Sequence, residues 1–219
     1  MEIGALVYPN IDQMDFTGPF EVLSRLGVRV HVMGRDMTPV RDMAGLILTP
    51  TTTLAAAPPL DVLIVPGGRG QLALVDDDEV LSFVARPVPW VLSVCTGALI
   101  CGAAGLLRGR RATTHWNSFH LLPYFGAIPV DERVVIDGNL MTTAGVSAGI
   151  DGALRLAGLL CGEAVAQRIQ LEIQYAPEPP FGPASEEILK AARSAVSDIT
   201  TARLQTAQRA AARWGIKVA

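Results

Sequence analysis

The chain is poor in the residues that build metal sites and disulfide frameworks. Its 219 residues include three cysteines and three histidines. The number of cysteines is odd and no two of them form a Cys-x-x-Cys pair, which argues against a disulfide framework and against a zinc site. Free cysteines fit a reducing cytoplasm, where we expect the protein to reside. We also expect no bound metal and no other cofactor.

Excess positive charge and long apolar runs are equally absent. A formal net charge of −3 argues against a general affinity for nucleic acid. No apolar run reaches the length of about 20 residues that a membrane-spanning helix needs. The first nine residues contain no Lys or Arg, unlike the start of a secretory signal peptide. We therefore expect neither a nucleic-acid partner nor a membrane partner.

What the chain has in quantity is apolar side chains. Half of its residues are hydrophobic and 18% are charged. A chain of this length can bury a substantial core without disulfides or a metal. The composition is more apolar than that of an average domain, which hints at an oligomer interface.

Strand-like runs alternate with helix-compatible segments along the sequence. Strands are predicted at 3–8, 28–33, 61–65, 88–94 and 110–114, with an edge hairpin or a short strand at 45–53 and a hairpin at 133–142. Helices are predicted from Pro19 onward and at 76–85, 117–122, 147–160, 163–173 and 186–213. The alternation is typical of a flavodoxin-like, doubly wound, mostly parallel sheet flanked by helices. We expect one α/β domain that covers residues 1–219.

Cys95 stands where a predicted strand becomes a helix. Ser93 and Gly97, two residues to either side, are small, as at the nucleophile elbow. Backbone N–H groups at the start of the following helix would point toward the sulfur and favour its thiolate form. We therefore expect Cys95 to be reactive. Most free cysteines are buried and inert, and we assign Cys101 and Cys161 to that class.

Two further motifs are predicted at the carboxyl ends of strands, where open α/β sheets bind their ligands. Asp15 is expected in the loop after the first strand, before a helix that begins at Pro19, and Asp12 is a candidate helix cap. Gly67 and Gly68 follow another strand, and paired glycines let backbone N–H groups approach a ligand closely. The same two glycines also fit a plain tight turn.

A histidine base for Cys95 is missing from the expected place. The next residue is Thr96, and His115 better suits a structural role in which a backbone carbonyl accepts from its ring. Amide hydrolysis therefore lacks its usual base. Asp15 is the remaining candidate partner. Because two adjacent anions are unfavourable, a pair of Cys95 and Asp15 should share one proton.

Six segments together carry a family resemblance, namely residues 15–19, 66–68, 94–98, 103–116, 148–151 and 167–181. They resemble the ThiJ/PfpI superfamily, a class I glutamine amidotransferase-like group, and within it the bacterial isocyanide hydratases. The likeness covers essentially the whole chain. The motifs Cys-Thr-Gly at 95–97 and Thr-Thr-His-Trp at 113–116 also occur in sensor domains of AraC-type regulators. The motif Tyr-Ala-Pro-Glu-Pro-Pro-Phe at 175–181 is more typical of the hydratases.

The resemblance implies a hydro-lyase reaction on a neutral small molecule. An isocyanide, R–N≡C, would be hydrated to an N-substituted formamide without a cofactor, by a homodimer. By analogy, Cys95 attacks the terminal carbon while Asp15, or a water that it holds, protonates that carbon. Water then hydrolyses the thioimidate. Thr96 would hold the sulfur or the water through its backbone N–H and its hydroxyl.

The resemblance also implies how the substrate is bound. Gly67 and Gly68 would supply backbone donors, and Phe16 would contact the substrate beside the catalytic aspartate. Val146 falls where the family has an isoleucine, so it would narrow the pocket slightly less.

Two other functions stay open on the sequence alone. One is a glyoxalase-like or deglycase-like activity on small aldehydes, although such relatives usually carry a glutamate in the place of Asp15 and often a histidine after the cysteine. The other is a non-enzymatic redox sensor in which Cys95 is oxidised to a sulfenic or sulfinic acid.

Overall fold

The computed structural model describes residues 1–218 and places eleven strands in that range. In chain order they are β1 (Glu2–Leu6), β2 (Arg29–Gly34), β3 (Val40–Arg41), β4 (Ile47–Leu48), β5 (Thr52–Thr53), β6 (Val62–Val65), β7 (Trp90–Val94), β8 (Arg111–Ala112), β9 (Ile128–Pro129), β10 (Val134–Asp137) and β11 (Leu140–Thr143). Seven strands form the central sheet, in the order β10-β11-β7-β6-β1-β2-β5. All neighbours in this sheet are parallel except β10 and β11, which form an antiparallel hairpin.

Helices flank this sheet. The α-helices are α1 (Gln13–Ser24), α2 (Gln71–Leu74), α3 (Asp78–Val84), α4 (Gly97–Ala103), α5 (Ala148–Cys161), α6 (Glu163–Glu172), α7 (Glu186–Ala195) and α8 (Ser197–Trp214), and a 3₁₀ segment spans Trp116–Phe125. Helix α1 packs against α5, and α5 packs against α6. Helix α4, whose seven residues are all buried, packs against α3, α8 and the 3₁₀ segment.

The apolar runs of β6 and β7 explain their place at the centre of the sheet. All four residues of β6 and the last four residues of β7 are buried. Strands with apolar side chains on both faces need helices on both faces of the sheet. In the register of these strands, Val65 lies opposite Ser93. The carboxyl ends of β6 and β7 therefore meet at one edge, and the loops that leave this edge build the candidate site.

The predicted fold is confirmed as a mostly parallel, doubly wound sheet flanked by helices. The hairpin, the strands at 61–65 and 88–94 and the helix at 163–173 are present with ends shifted by a few residues. The stretch 45–53, predicted as an edge hairpin or a short strand, contains both β4, which forms a hairpin with β3, and the edge strand β5. Across residues 1–218, no helix is both long enough and apolar enough to cross a membrane. The last residue of the expected domain, Ala219, lies outside the described residues.

The start of the first helix was predicted wrongly. Helix α1 begins at Gln13 and not at Pro19, because the Asp12 side chain caps it by accepting from the Met14 N–H at 3.1 Å. Pro19 lies inside the helix, where it removes one backbone donor. Asp15 consequently lies in the first turn of α1 and not in a loop.

Three smaller predictions also need correction. The helix predicted at 186–213 is two helices, because the backbone leaves helical geometry at Val196, where φ is −118°. Ser147 precedes α5 but makes no side-chain cap, since its Oγ accepts from Arg133 Nη2 at 3.1 Å. Cys161 is exposed at the end of α5, whereas Cys101 is buried as expected.

Candidate active site

Cys95 occupies a strained turn between β7 and α4. Its φ of +55° lies in the left-handed region, which a side chain with a Cβ rarely adopts. The turn also needs a residue without a side chain at position 97, because a Cβ on Gly97 would lie 1.9 Å from the Val65 carbonyl oxygen. The predicted nucleophile elbow is therefore the geometry observed.

Neighbouring elements hold this turn from both sides. The Cys95 N–H donates to the Thr143 carbonyl at 3.2 Å, which ties the elbow to β11. The Thr114 hydroxyl donates to the Cys95 carbonyl at 2.7 Å. A non-glycine residue at positive φ persists only where its surroundings fix it, and these two hydrogen bonds do so.

Asp15 reaches the elbow from α1. The carboxyl is wholly buried, and its Oδ2 accepts from the Gly67 N–H at 2.9 Å. The other carboxyl oxygen, Oδ1, is buried and has no nitrogen or oxygen partner among residues 1–218. A buried oxygen of this kind calls for an additional donor. The Asp15 Oδ1 atom is therefore available to accept a hydrogen bond.

The Gly67–Gly68 turn passes between Asp15 and the elbow. A Cβ on Gly67 would lie 2.5 Å from the Thr96 nitrogen and 2.9 Å from Asp15 Oδ2, so only glycine fits. The Gly68 N–H donates to Thr96 Oγ1 at 3.1 Å. Both amides are thus used to position Asp15 and Thr96, and a direct contact between these glycines and a substrate stays a prediction.

The electrostatics of the site favour protons on both acids. Burial, reinforced by the nearby Asp12 carboxylate, raises the pKa of Asp15 to about 7, against the hydrogen bonds from Gly67 and from the Cys95 thiol. Burial, followed by the charge of Asp15, raises the pKa of Cys95 well above its ordinary range, although the Thr96 N–H lowers it. The expectation that the start of α4 makes Cys95 a free thiolate is therefore wrong. The thiol therefore keeps its proton at neutral pH, whereas the Asp15 carboxyl gains or loses its proton in that range.

The sulfur is nearly enclosed. Cys95 is only 6% exposed. Because the pair lies in a low-dielectric surrounding, a second negative charge there is costly. The pair therefore keeps at least one proton at neutral pH, and the sharing of one proton between the two groups stays a prediction.

His115 and His31 each have a side-chain partner other than the thiol. His115 Nδ1 lies 2.7 Å from the Asn117 side-chain oxygen, so its structural partner is an amide and not the backbone carbonyl that was expected. Burial lowers the pKa of His115, which keeps the ring neutral. His31 lies on β2 beside Glu2. Within the described range, no cluster of three or more histidine, cysteine or carboxylate side chains is arranged to hold a metal ion.

The two apolar residues predicted to contact substrate lie on the elements that carry the site. Phe16 follows Asp15 on α1, is buried, and packs on Phe20 with ring centroids 5.3 Å apart. Val146 is half-buried just before α5 and packs against the core. Their contact with a substrate stays a prediction.

Sequence reasoning missed Arg203. It lies on α8, which the sequence describes as a helix with mixed charges on one side, yet Arg203 is 6% exposed. Its Nε donates to Gln71 Oε1 at 3.3 Å. The only signal in the sequence is an arginine in a charged helix, which does not distinguish a buried side chain from a solvated one.

Comparison with known proteins identifies a matching family and a relative of similar length. A model of the DJ-1/PfpI family matches residues 1–158. The chain is 46% identical over 226 aligned positions to the isonitrile hydratase of Pseudomonas putida, and the match covers 99% of each chain.

Solved structures agree with this. A ThiJ/PfpI family protein from Pseudomonas syringae superposes with a TM-score of 0.91 at 38% identity, covering 94% of this chain and 90% of that one. The DJ-1beta protein of Drosophila melanogaster superposes with a TM-score of 0.73 at 25% identity, covering 80% and 98%. The resemblance stated from the sequence motifs is therefore confirmed.

Proposed function

The chain belongs to the DJ-1/PfpI family, and from that premise we propose that it is an isocyanide hydratase, which adds water to R–N≡C to give an N-substituted formamide. The observation that carries this proposal is the buried pair of Cys95 and Asp15, whose pKa values are both raised by burial, with no histidine among the groups that shift either one. Isocyanide hydration needs a nucleophile and a proton at the same carbon. A thiol beside a carboxylate supplies both.

In the first step the sulfur of Cys95 bonds to the terminal carbon of the isocyanide. The thiol proton passes to the Asp15 carboxylate, and the resulting carboxylic acid delivers it to that carbon. The product is a thioimidate, R–N=CH–S–Cys95, and Asp15 is again a carboxylate. A carboxyl group with a pKa of about 7 suits this exchange, because it accepts and returns a proton near neutral pH.

In the second step water adds to the thioimidate carbon. Asp15 Oδ1, which lacks a nitrogen or oxygen partner among the described residues, accepts a proton from this water. One proton goes to the nitrogen and one returns to the sulfur as the C–S bond breaks. The products are the N-substituted formamide and the original thiol.

The surrounding residues keep these groups in place. Thr96 directs its backbone N–H at the sulfur, which stabilises negative charge there as the thiol loses its proton. Gly67 orients the Asp15 carboxyl through its N–H. Phe16 and Val146 form apolar walls for the R group, which suits a neutral substrate.

The proposed enzyme is a cytoplasmic homodimer. Four large apolar side chains between positions 159 and 188 are exposed, namely Leu159 at 55%, Leu171 at 80%, Phe181 at 86% and Ile188 at 59%. Helix α7 has no buried residue, although it is amphipathic. A second copy of the chain would cover such a surface. The free thiols of Cys95, Cys101 and Cys161 support a reducing compartment.

Product analysis tests the activity. Wild-type protein should convert cyclohexyl and benzyl isocyanides to their formamides, followed by proton NMR of the formyl group. The Cys95→Ser and Asp15→Asn variants should both lose this activity by at least about a hundredfold. The control variant Cys161→Ser, at an exposed cysteine, should retain it. Consumption of methylglyoxal with no formamide from any isocyanide would refute the proposal.

A further inference from the structure

Arg203 is a buried cation without an anion beside it. In the part of the chain that the structure describes, no carboxylate forms an ion pair with its guanidinium. Its hydrogen bonds go to three uncharged oxygens: Gln71 Oε1 at 3.3 Å, Ser118 Oγ at 3.3 Å and Asn117 Oδ1 at 3.5 Å. Burying a charge among neutral groups is costly unless an opposite charge is close. Burial accordingly lowers the pKa of Arg203, and among the groups that act against this shift the charge of Cys95 is the largest.

The partners of this guanidinium lie on the two elements that flank the nucleophile elbow. Gln71 begins α2, three residues after Gly68 in the turn of paired glycines that contacts Asp15 and Thr96. Ser118 lies in the 3₁₀ segment, four residues after Thr114, whose hydroxyl holds the carbonyl of the nucleophilic cysteine. The guanidinium thus bridges both flanks of the site.

We infer that Arg203 is a positioning residue that provides the positive charge against which the Cys95/Asp15 pair carries its single negative charge. When the thiol proton passes to Asp15, negative charge moves from the carboxylate to the sulfur. A fixed guanidinium lowers the cost of that movement without touching the reacting carbon. The inference deepens the proposed function, because the same sulfur must attack the isocyanide.

Other charged groups near the site do not replace this cation. The charge of Arg203 lowers the pKa of Cys95, whereas the charges of Asp15 and Asp12 raise it. Burial lowers the pKa of His115, so that ring stays neutral. Arg69 lowers the pKa of Arg203 by charge repulsion, and the charge of Tyr8 raises it.

Alkylation of Cys95 by iodoacetamide tests this role without using an isocyanide. The rate is followed against pH by mass spectrometry of the peptide that contains Cys95, in a Cys161→Ser background so that the exposed thiol consumes no reagent. In Arg203→Met, the apparent pKa from alkylation should rise by about one pH unit, with about tenfold slower reaction at neutral pH. Arg203→Lys should stay within about threefold of the parent, because it keeps the charge. Arg209→Met, at an exposed arginine of the same helix paired with Asp76, is the matched control and should show no change.

A second variant separates charge from packing. Gln71→Glu keeps the size of the buried side chain and places a carboxylate on the guanidinium, so it should raise the apparent pKa of Cys95 with Arg203 still present. Folded Arg203→Met and Gln71→Glu proteins with the parent alkylation profile would show that Arg203 is only structural. If Arg203→Met does not fold, the result for Gln71→Glu decides. Failure of formamide production in the parent protein would refute the hydratase proposal and leave this result unchanged.

Discussion

Burial raises the pKa of both the Cys95 thiol and the Asp15 carboxyl. A charge at a helix start is worth about 0.3–1 kcal/mol, while a change of one pKa unit corresponds to about 1.4 kcal/mol. Helix α4 has seven residues, and its dipole is opposed by burial and by the neighbouring carboxyl group. Desolvation therefore shifts the pKa of Cys95 more than the helix dipole does. The sulfur becomes reactive when its proton is transferred to Asp15.

The first prediction concerns the pH dependence of turnover. The pKa of Asp15 is about 7, and its carboxylate form must accept the thiol proton. Lowering the pH through 7 protonates this carboxylate, so kcat/KM should fall about tenfold per pH unit below that point. Initial rates of formamide production between pH 5 and 9, corrected for acid-catalysed background hydration, measure this. A flat profile down to pH 5 would contradict it.

The second prediction concerns stability. The folded protein raises the pKa of Asp15 from 3.8 to about 7, so folding is penalised above pH 7 and the penalty fades as the pH falls toward 4. Asp15→Asn removes the charge and should stabilise the protein at pH 8 by on the order of 3 kcal/mol, with a smaller gain at pH 5. Urea unfolding of both proteins at the two pH values measures the difference. An equal effect at both pH values would show that Asp15 does not titrate in this way.

At the scale of elements, the position of the site is set by the carboxyl ends of β6 and β7. Residues 62–65 and 90–94 are recognisable as buried strands from composition alone, so the sequence places Cys95 and Gly67 correctly at one edge. The start of α1 was not recognisable, because Pro19 is a common helix start and here lies in the interior. The cap at Asp12 decides the outcome, since it turns the Asp15 side chain inward.

The third prediction tests the tight packing of the elbow. A Cβ on Gly97 would collide with the Val65 carbonyl at 1.9 Å, so Gly97→Ala should destabilise the protein by at least about 3 kcal/mol and displace Cys95. The control Gly182→Ala has no heavy atom within 4 Å of its new Cβ and should change stability by less than about 0.5 kcal/mol. Chemical unfolding of both variants checks this. Similar midpoints for the two variants would contradict it.

At the scale of the whole molecule, the buried Arg203 side chain contacts residues that are far from it in the sequence. Arg203 in α8 donates to Gln71 in α2 and to Ser118 in the 3₁₀ segment, and no local pattern in the sequence predicts these contacts. The break between α7 and α8 at Val196 has no glycine or proline to signal it either. Both features depend on tertiary packing, and the periodicity of side chains along one helix carries no information about such packing.

The fourth prediction concerns the proposed dimer. Leu171→Asp and Phe181→Asp place charges on side chains that are 80% and 86% exposed, so the double variant should sediment as a monomer if a second copy covers them. The control Ile128→Asp changes an apolar residue that is 54% exposed on β9 and should leave the assembly unchanged. A double variant with the sedimentation coefficient of the wild type would place the interface elsewhere.

Rapid-quench intact-protein mass spectrometry with cyclohexyl isocyanide tests the shared role of Cys95 and Asp15 most directly. Wild-type protein should gain transiently the mass of one isocyanide, located on Cys95 by peptide mapping, while Asp15→Asn should form this adduct at least about a hundredfold more slowly. Formamide production without any adduct on Cys95, or an adduct formed at the same rate by Asp15→Asn, would contradict the proposed mechanism.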